Sequence, residues 1–349
     1  MLELWSPERA YERIEAHLRD HGFFRPGGEE LVADLFLAYG LSEPLRRGVG
    51  PAPPEPCRLP LAAVAVRDRS GGLTPGHVRI GRWQPTWSEH AYAAAVEAVR
   101  EAIGRGDVYQ VNLVQHLSAP FGGDPGGLAA ALAPFRPLAP LLEGDGWAVA
   151  SASPELFLAR RGRRVWTSPI KGTRPLGEHV EGAKDAAEHT MIVDLERNDL
   201  SRVCEPGSVR WPELMAEREL AGVTHLVSTV EGRLREGIGL AELLGATFPG
   251  GSVTGAPKLA ALDEIARLEP VGRGPSMGAL GTVRGNGDLD LALTIRTFAV
   301  ADDRVHLWVG GGIVWDSDPR AEIEESWVKA RPLLAALGSP IVARAEATA

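Results

Sequence analysis

Cysteine is almost missing from this sequence. Cys57 and Cys204 are the only two among 349 residues, they lie far apart, and neither sits in a Cys-x-x-Cys pair. Such scarcity argues against a disulfide framework or a zinc cluster and fits a reducing, cytoplasmic setting. The start, MLELWSPERAYERIEAHLRD, is charged throughout and lacks the apolar stretch of a signal peptide, so no cleaved leader is expected. No apolar run approaches the roughly 20 residues that span a bilayer, which sets membranes aside. Positive charge is in deficit, with 37 Lys and Arg against 46 Asp and Glu for a net −9. A chain of that sign has no long-range attraction for phosphate backbones, so nucleic acid is not an expected partner. A small anionic substrate stays open, because a few local cations can hold it. Repeats, low-complexity tails and a Walker A loop are also missing; in FPGGSVTGAPK (248–258) Gly255 is followed by Ala256 rather than by a Lys-Ser/Thr pair.

What is present can build a sizeable core. Hydrophobic residues make up 44%, and the length suits one large domain or two. The 41 glycines and 27 prolines act as punctuation. GVGPAPPEPCRLP (48–60) reads as a loop after a mostly helical N-terminal piece, and 120–140 as irregular chain around a short helix. The expected organisation is a short N-terminal region, 1–87, contributing to the same fold, and a catalytic region over 88–340. SEHAYAAAVEAVREAIGRG predicts a helix with Ser88 as N-cap and Gly104 near its C-cap. It leads into a strand with Tyr109, Val111, Leu113 and Leu117 on one face and Gln110 and Asn112 on the other. ELFLARRGRRVWTSP reads as a hairpin, 181–200 as a long helix, and LAELLGATF and APKLAALDEIARL as two more. The segment 289–318 reads as two strands joined at ADD. A last helix begins with Asp318 as N-cap and Pro319 at its first position, and Pro332 should kink or divide it. Strands and helices in runs, rather than in strict alternation, predict an α+β fold.

Several polar residues stand where chemistry could use them. Glu322, Glu325 and Lys329 follow i, i+3, i+7 spacing, which puts two carboxylates and an ammonium on one helix face. The glycines of GGGIVWD end the preceding strand, a place where backbone approaches something closely. Glu188 borders the stripe of Met191 and Ile192, and a carboxylate there wants a cation or a donor. Carboxylates from two helices would suit Mg²⁺, a hard ion that keeps part of its hydration shell. Glu155 follows a proline at the start of a strand, and His225 lies in an apolar strand-like run. Arg296 reads as mid-strand in LTIRTF, a costly place for a guanidinium without a carboxylate partner. Lys171, in TSPIKGTRPLG, could be a solvated surface lysine or an amine held against a substrate. Taken together these describe a pocket for a small polycarboxylate.

In order along the chain, GDVYQVNL, SPELF, SPIKGTRP, AEHTMIVDLERNDLSRV, HLVST, FPGGSVTGAPK, TIRT and GGGIVWDS…AEIEES resemble the chorismate-utilising enzymes, and within them the component I chains of aminodeoxychorismate synthases. The match covers roughly 88–337. The resemblance implies two packed antiparallel sheets with surrounding helices. It implies Mg²⁺ on Glu188 and Glu325 with Glu322 nearby, bridging to the ring carboxylate of chorismate. Arg296, Lys329 and the amides of Gly311 and Gly312 would hold substrate carboxylates, and Gly172 and Thr173 would line the substrate. Glu155 matches a general acid that protonates the departing C4 hydroxyl, and His225 an active-site histidine.

Two positions discriminate within the family. Relatives that add water resemble one another in a lysine base where this chain has Gln110, so the expected nucleophile here is ammonia. Anthranilate synthases resemble the Lys171 loop but carry alanine in its place, whereas aminodeoxychorismate synthases carry the lysine. A neutral Lys171 amine would attack ring C2, and nearby Arg174 and Mg²⁺ would favour that neutral form. The implied activity is a transferase reaction, the amination of chorismate to 4-amino-4-deoxychorismate on the 4-aminobenzoate and folate branch. A separate glutamine amidotransferase would supply the ammonia. The alternatives are anthranilate synthase component I and a non-catalytic chorismate-binding relative.

Overall fold

Runs rich in β-branched and aromatic residues, cut by Gly and Pro, pair antiparallel throughout the molecule. The computed structural model describes residues 1–48, 50–67, 76–139, 141–175, 183–220 and 223–339, with backbone alone at 173–175, 183–185, 220 and 223. The chain opens with β1 (Leu2–Leu4), α1 (Ala10–Asp20), β2 (Val32–Leu37) and β3 (Ala62–Arg67). Two short strands, β4 (Val78–Ile80) and β5 (Gln84–Pro85), precede α2 (Glu89–Arg105) and the long β6 (Gln110–Gly123). Next come α3 (Pro125–Leu132), β7 (Leu141–Gly144), β8 (Trp147–Ser151), β9 (Leu156–Arg161), β10 (Arg164–Ser168) and β11 (Ile170–Pro175). The middle of the chain holds α4 (Ala183–Ser201), β12 (Arg210–Leu220), β13 (Val223–Arg233), α5 (Leu240–Thr247), β14 (Gly255–Ala256) and α6 (Lys258–Leu268). It closes with β15 (Ala279–Arg284), β16 (Leu289–Leu293), β17 (Thr297–Ala301), β18 (Arg304–Ile313) and α7 (Pro319–Ala336).

Among the described residues the strands form a ten-stranded sheet, β1-β3-β2-β15-β16-β9-β10-β13-β11 with β12 beside β13. The second, eight-stranded sheet runs β14-β6-β18-β17-β8-β7, with β4 and β5 also on β6. Buried side chains from both sheets and the helices form one large apolar core, and a smaller one lies between α3, α7 and the second sheet. This is the expected α+β arrangement of two antiparallel sheets. Among the described residues no helix is long and apolar enough to cross a membrane.

Four expectations need correction. The N-terminal piece is not mostly helical: besides α1 it holds β1 and β2, which join the larger sheet, with β2 in register along β15 from Leu37↔Ala279 to Val32↔Arg284. The stretch 289–313 is three strands, not two, because the chain changes sheets at 294–296, leaving β16 in the larger sheet and β17 in the smaller. Arg296 therefore sits in that crossing and not mid-strand, with φ of 51°. β6 has no wet face: Gln110 and Asn112 are buried with their apolar neighbours, while Tyr109 lies outside the strand, 68% exposed. α7 continues through Pro332 to Ala336, held against the second sheet by buried Ala330, Leu333 and Leu334. Caps follow the sequence more closely. Ser88 accepts the Ala91 N–H and Asp318 the Ala321 N–H, although α2 ends on Gly106, in the left-handed region, rather than near Gly104.

Between the sheets lies a buried ion pair, Glu269–Arg273, with both side chains almost wholly inaccessible. Arg273 donates to Val253 O (3.0 Å) and Asn112 O (2.6 Å), and its guanidinium lies over the Tyr39 ring. Glu269 accepts the Val114 N–H at 3.0 Å. Removing one partner of such a pair strands the other charge. Glu269→Ala should cost about 3–5 kcal/mol of unfolding free energy, measurable by urea denaturation.

Candidate active site

The polar residues converge where the chain crosses between sheets. One crossing, from β8 to β9, carries Glu155. A second, from β16 to β17, carries Arg296. They are tied side by side: Ala152 N–H donates to Arg296 O (3.0 Å), the Ser151 and Thr297 hydroxyls share a 2.8 Å hydrogen bond, and Leu293 N–H donates to Glu155 O (2.9 Å). Neither crossing can keep a sheet ladder, so side chains and the other crossing take up its backbone groups.

Glu155 is buried, and its Oε1 accepts the Ser252 hydroxyl at 2.9 Å and, more weakly, the Ile170 N–H at 3.4 Å. Burial holds its carboxyl above the ordinary carboxylate range; the Lys171 ammonium, the Ser252 hydroxyl, the Ile170 amide and Arg296 pull the other way. A carboxyl raised in this way is suited to delivering a proton to a leaving group. The same carboxyl is the charge that faces Arg296, whose guanidinium is pulled below its ordinary range by burial.

Lys171 lies on β11 opposite Leu226 of β13. The register then slips before Arg174, a bulge in which Gly172 takes φ of 63°, a conformation that favours glycine. The bulge turns the Gly172 carbonyl to His225, whose Nδ1 donates to it at 2.8 Å, which fixes the tautomer of the neutral ring. Burial depresses the His225 pKa, and Arg296 adds to the effect while the Gly172 contact opposes it. The expected roles of Thr173 and Arg174 fall on side chains outside the described residues.

A second group of the expected residues gathers at the glycine run of β18, in register with Val114, Leu113 and Asn112 of β6. A methyl group on Gly311 would stand 3.3 Å from Glu322 Oε2, 3.4 Å from Glu325 Oε1 and 3.5 Å from Lys329 Nζ, so these three side chains converge there. On Gly312 it would strike Gln110 Nε2 at 1.8 Å. Lys329 pairs with Glu325 and donates to Gly310 O, both at 2.7 Å, and buried Glu322 accepts the Ser317 hydroxyl at 2.7 Å. Two carboxylates beside open backbone fit a hard cation that keeps its own waters. Glu188, the third expected ligand, lies on α4, which packs against β11 and β13. Among the described residues no three His, Cys, Asp or Glu side chains already form a metal site.

Sequence reasoning missed four supporting residues: Ser252, Glu196, Asp199 and Lys258. Lys258 pairs with Asp199 and donates to Pro249 O at 2.7 Å, which braces the loop bearing Ser252. A signal was available, since the chain has only four lysines and Lys171, Lys258 and Lys329 are three of them. His189 was missed as well. It is wholly buried with Nε2 2.6 Å from the Ser228 hydroxyl, and burial, with Lys171 adding, pushes it down to about 4.

Residues 52–335 match the family described as chorismate binding enzyme. The chain is 40% identical over 342 residues to anthranilate synthase component 1 of Streptomyces coelicolor, covering 93% of this chain and 63% of the relative. It is 41% identical over 273 residues to aminodeoxychorismate synthase component 1 of Klebsiella aerogenes, covering 74% of this chain and 60% of the relative. The crystal structure of anthranilate synthase component I from Streptococcus pneumoniae superposes with a TM-score of 0.76 at 27% identity, over 86% of this chain and 80% of that one. The chain belongs to the chorismate binding enzyme family. It spans less than two thirds of the length of the two relatives named first.

The Ser252 contact has a testable sign. Its hydroxyl donates to Glu155 and so favours the charged form; Ser252→Ala removes that donor and should move the Glu155 titration to higher pH. Infrared difference titration against Glu155→Gln would measure it. An unchanged or lower value would contradict the assignment.

Proposed function

We propose that this chain aminates chorismate with ammonia to give 4-amino-4-deoxychorismate. The observation that carries the reading is Lys171 on its bulged strand, next to Ile170, whose N–H reaches the buried Glu155 carboxyl at 3.4 Å. In the first step the neutral Lys171 amine bonds to ring C2. Both ring double bonds shift by one position, the C4–O bond breaks, and Glu155 gives its proton to the departing hydroxyl, which leaves as water. In the second step ammonia bonds to C4, both double bonds shift back, and the C2–N bond breaks to return the Lys171 amine. The new C4 ammonium hands a proton to Glu155, and the enzyme is restored.

Arg296, Lys329 and the Gly311 and Gly312 amides would hold the substrate carboxylates. Glu322 and Glu325 would hold Mg²⁺, with Glu188 completing the set, and the ion would neutralise charge on the ring carboxylate. Gln110 supports an amine rather than water as nucleophile, because a carboxamide cannot take a proton from water at neutral pH. Relatives named as component 1 support a partner chain, for which a glutamine amidotransferase is the reading that supplies ammonia. Product passing to 4-aminobenzoate and folate follows from the same reading.

A second reading, anthranilate synthesis, draws support from the relative of that name that covers 93% of this chain. Products decide between them. With chorismate, Mg²⁺ and ammonium at mildly alkaline pH, a non-aromatic amino product that an added lyase turns into 4-aminobenzoate is expected. Anthranilate and pyruvate would establish the second reading. Lys171→Ala should lose aminodeoxychorismate formation on the order of 10³-fold, and undiminished turnover would rule out the covalent step. Glu155→Gln should lower kcat by about 10²–10⁴-fold.

A further inference from the structure

Next to Glu155 lies a second buried carboxyl that the reaction above does not use. Glu196, 4% exposed on α4, accepts the Gly251 N–H at 3.0 Å. The next residue, Ser252, donates its hydroxyl to Glu155 at 2.9 Å. The fit around Gly251 is tight: a methyl group there would lie 2.6 Å from Leu195 Cδ2 and 3.1 Å from Glu196 Oε1. One turn further along α4, Asp199 pairs with Lys258, which donates to Pro249 O (2.7 Å) and Thr247 O (3.4 Å). α4 thus holds the loop at the 251 amide directly and at the 249 carbonyl through Lys258 of α6, and Ser252 between α4 and Glu155 donates to the latter.

We propose that Glu196 is a positioning residue: by fixing the Gly251 amide it keeps the Ser252 hydroxyl on Glu155 and so sets how readily Glu155 gives up its proton. The inference rests on the reading of Glu155 as the acid in chorismate amination. Charged groups face both carboxyls. Glu196 meets Asp199 from its own helix, Lys258 from α6 and Glu155 across the loop; Glu155 meets Lys171 from β11 and Arg296 from the β16–β17 crossing. Burial, with Asp199 adding, pushes Glu196 up to about 7. Its oxygen accepts the Gly251 N–H whether the carboxyl is charged or neutral, so a glutamine can do the same work.

The test is a cycle of Gln and Ala at 196, each with Ser or Ala at 252. Gln and Ala both lack the charge and differ in whether they accept the Gly251 N–H. In the Ser252 protein, E196Q should keep kcat within about threefold of the parent. E196A should lose about 10- to 100-fold in kcat with KM for chorismate little changed, the mark of an interaction made in the transition state. In S252A the Gln–Ala difference should vanish. A residue that merely supports the fold would instead give losses that multiply.

Infrared titration of Glu155, which needs no turnover, gives the second readout. In E196A, Glu155 should titrate at higher pH than in E196Q, because Ser252 no longer favours the charged form, and the gap should close in S252A. Equal behaviour of E196A and E196Q, or a gap that survives in S252A, would overturn the proposal. If E196A does not fold, E196M, which fills the space without an acceptor, replaces it in the cycle. Absence of any turnover in the parent enzyme would reject the amination reading, and the infrared cycle would still judge Glu196.

Discussion

The buried Glu269–Arg273 pair is the constraint on which the site depends. Two charges withdrawn from water are costly unless their remaining hydrogen-bonding capacity is met, and here it is met by backbone that the site needs held. Arg273 takes the carbonyls of Asn112, in β6, and Val253, in the loop that bears Ser252. Glu269 takes the Val114 amide two residues along the same strand. Tyr39, just past β2 of the larger sheet, lies against the guanidinium. One ion pair therefore touches both sheets and the loop between them. A hydrophobic pair of equal volume could fill the space, but it would leave those backbone groups without partners.

The second organising fact is that the chemistry sits where strands change sheet. A strand inside a ladder has its backbone satisfied and its side chains committed to one face or the other. At a crossing the backbone is released, and polar side chains can be aimed between the layers. Glu155 and Arg296 occupy two such crossings, and the 248–257 loop supplies Ser252 from a third. The raised pKa of Glu155 follows from this placement, because burial at the crossing leaves desolvation as the leading cause of the shift.

Local features were legible in the sequence. The Ser88 and Asp318 caps, the β9–β10 hairpin, the position of Glu155 at a strand start and the shared face of Glu322, Glu325 and Lys329 all depend on neighbours within a few residues. What was not legible depends on distant partners. β2 pairs with β15 from the far end of the chain, and nothing in VADLFL specifies that neighbour. Gln110 and Asn112 look like a solvated face until β14, β18 and α6 close over β6. Arg296 looks mid-strand because alternation continues on both sides of it, whereas the break is imposed by the change of sheet. The grip of Glu196 on Gly251 joins segments that share no pattern, so charge spacing along α4 could not announce it.

Arg296 also stands in tension with the chain that carries it. At φ of 51° a side chain other than glycine is strained by about 1 kcal/mol or more, and the guanidinium is drawn below its ordinary pKa by the site that surrounds it. Both effects would disappear with a glycine. A lineage or library held to thermal endurance alone would therefore drift away from arginine at 296. What the arginine supplies against that strain is a positive charge beside Glu155.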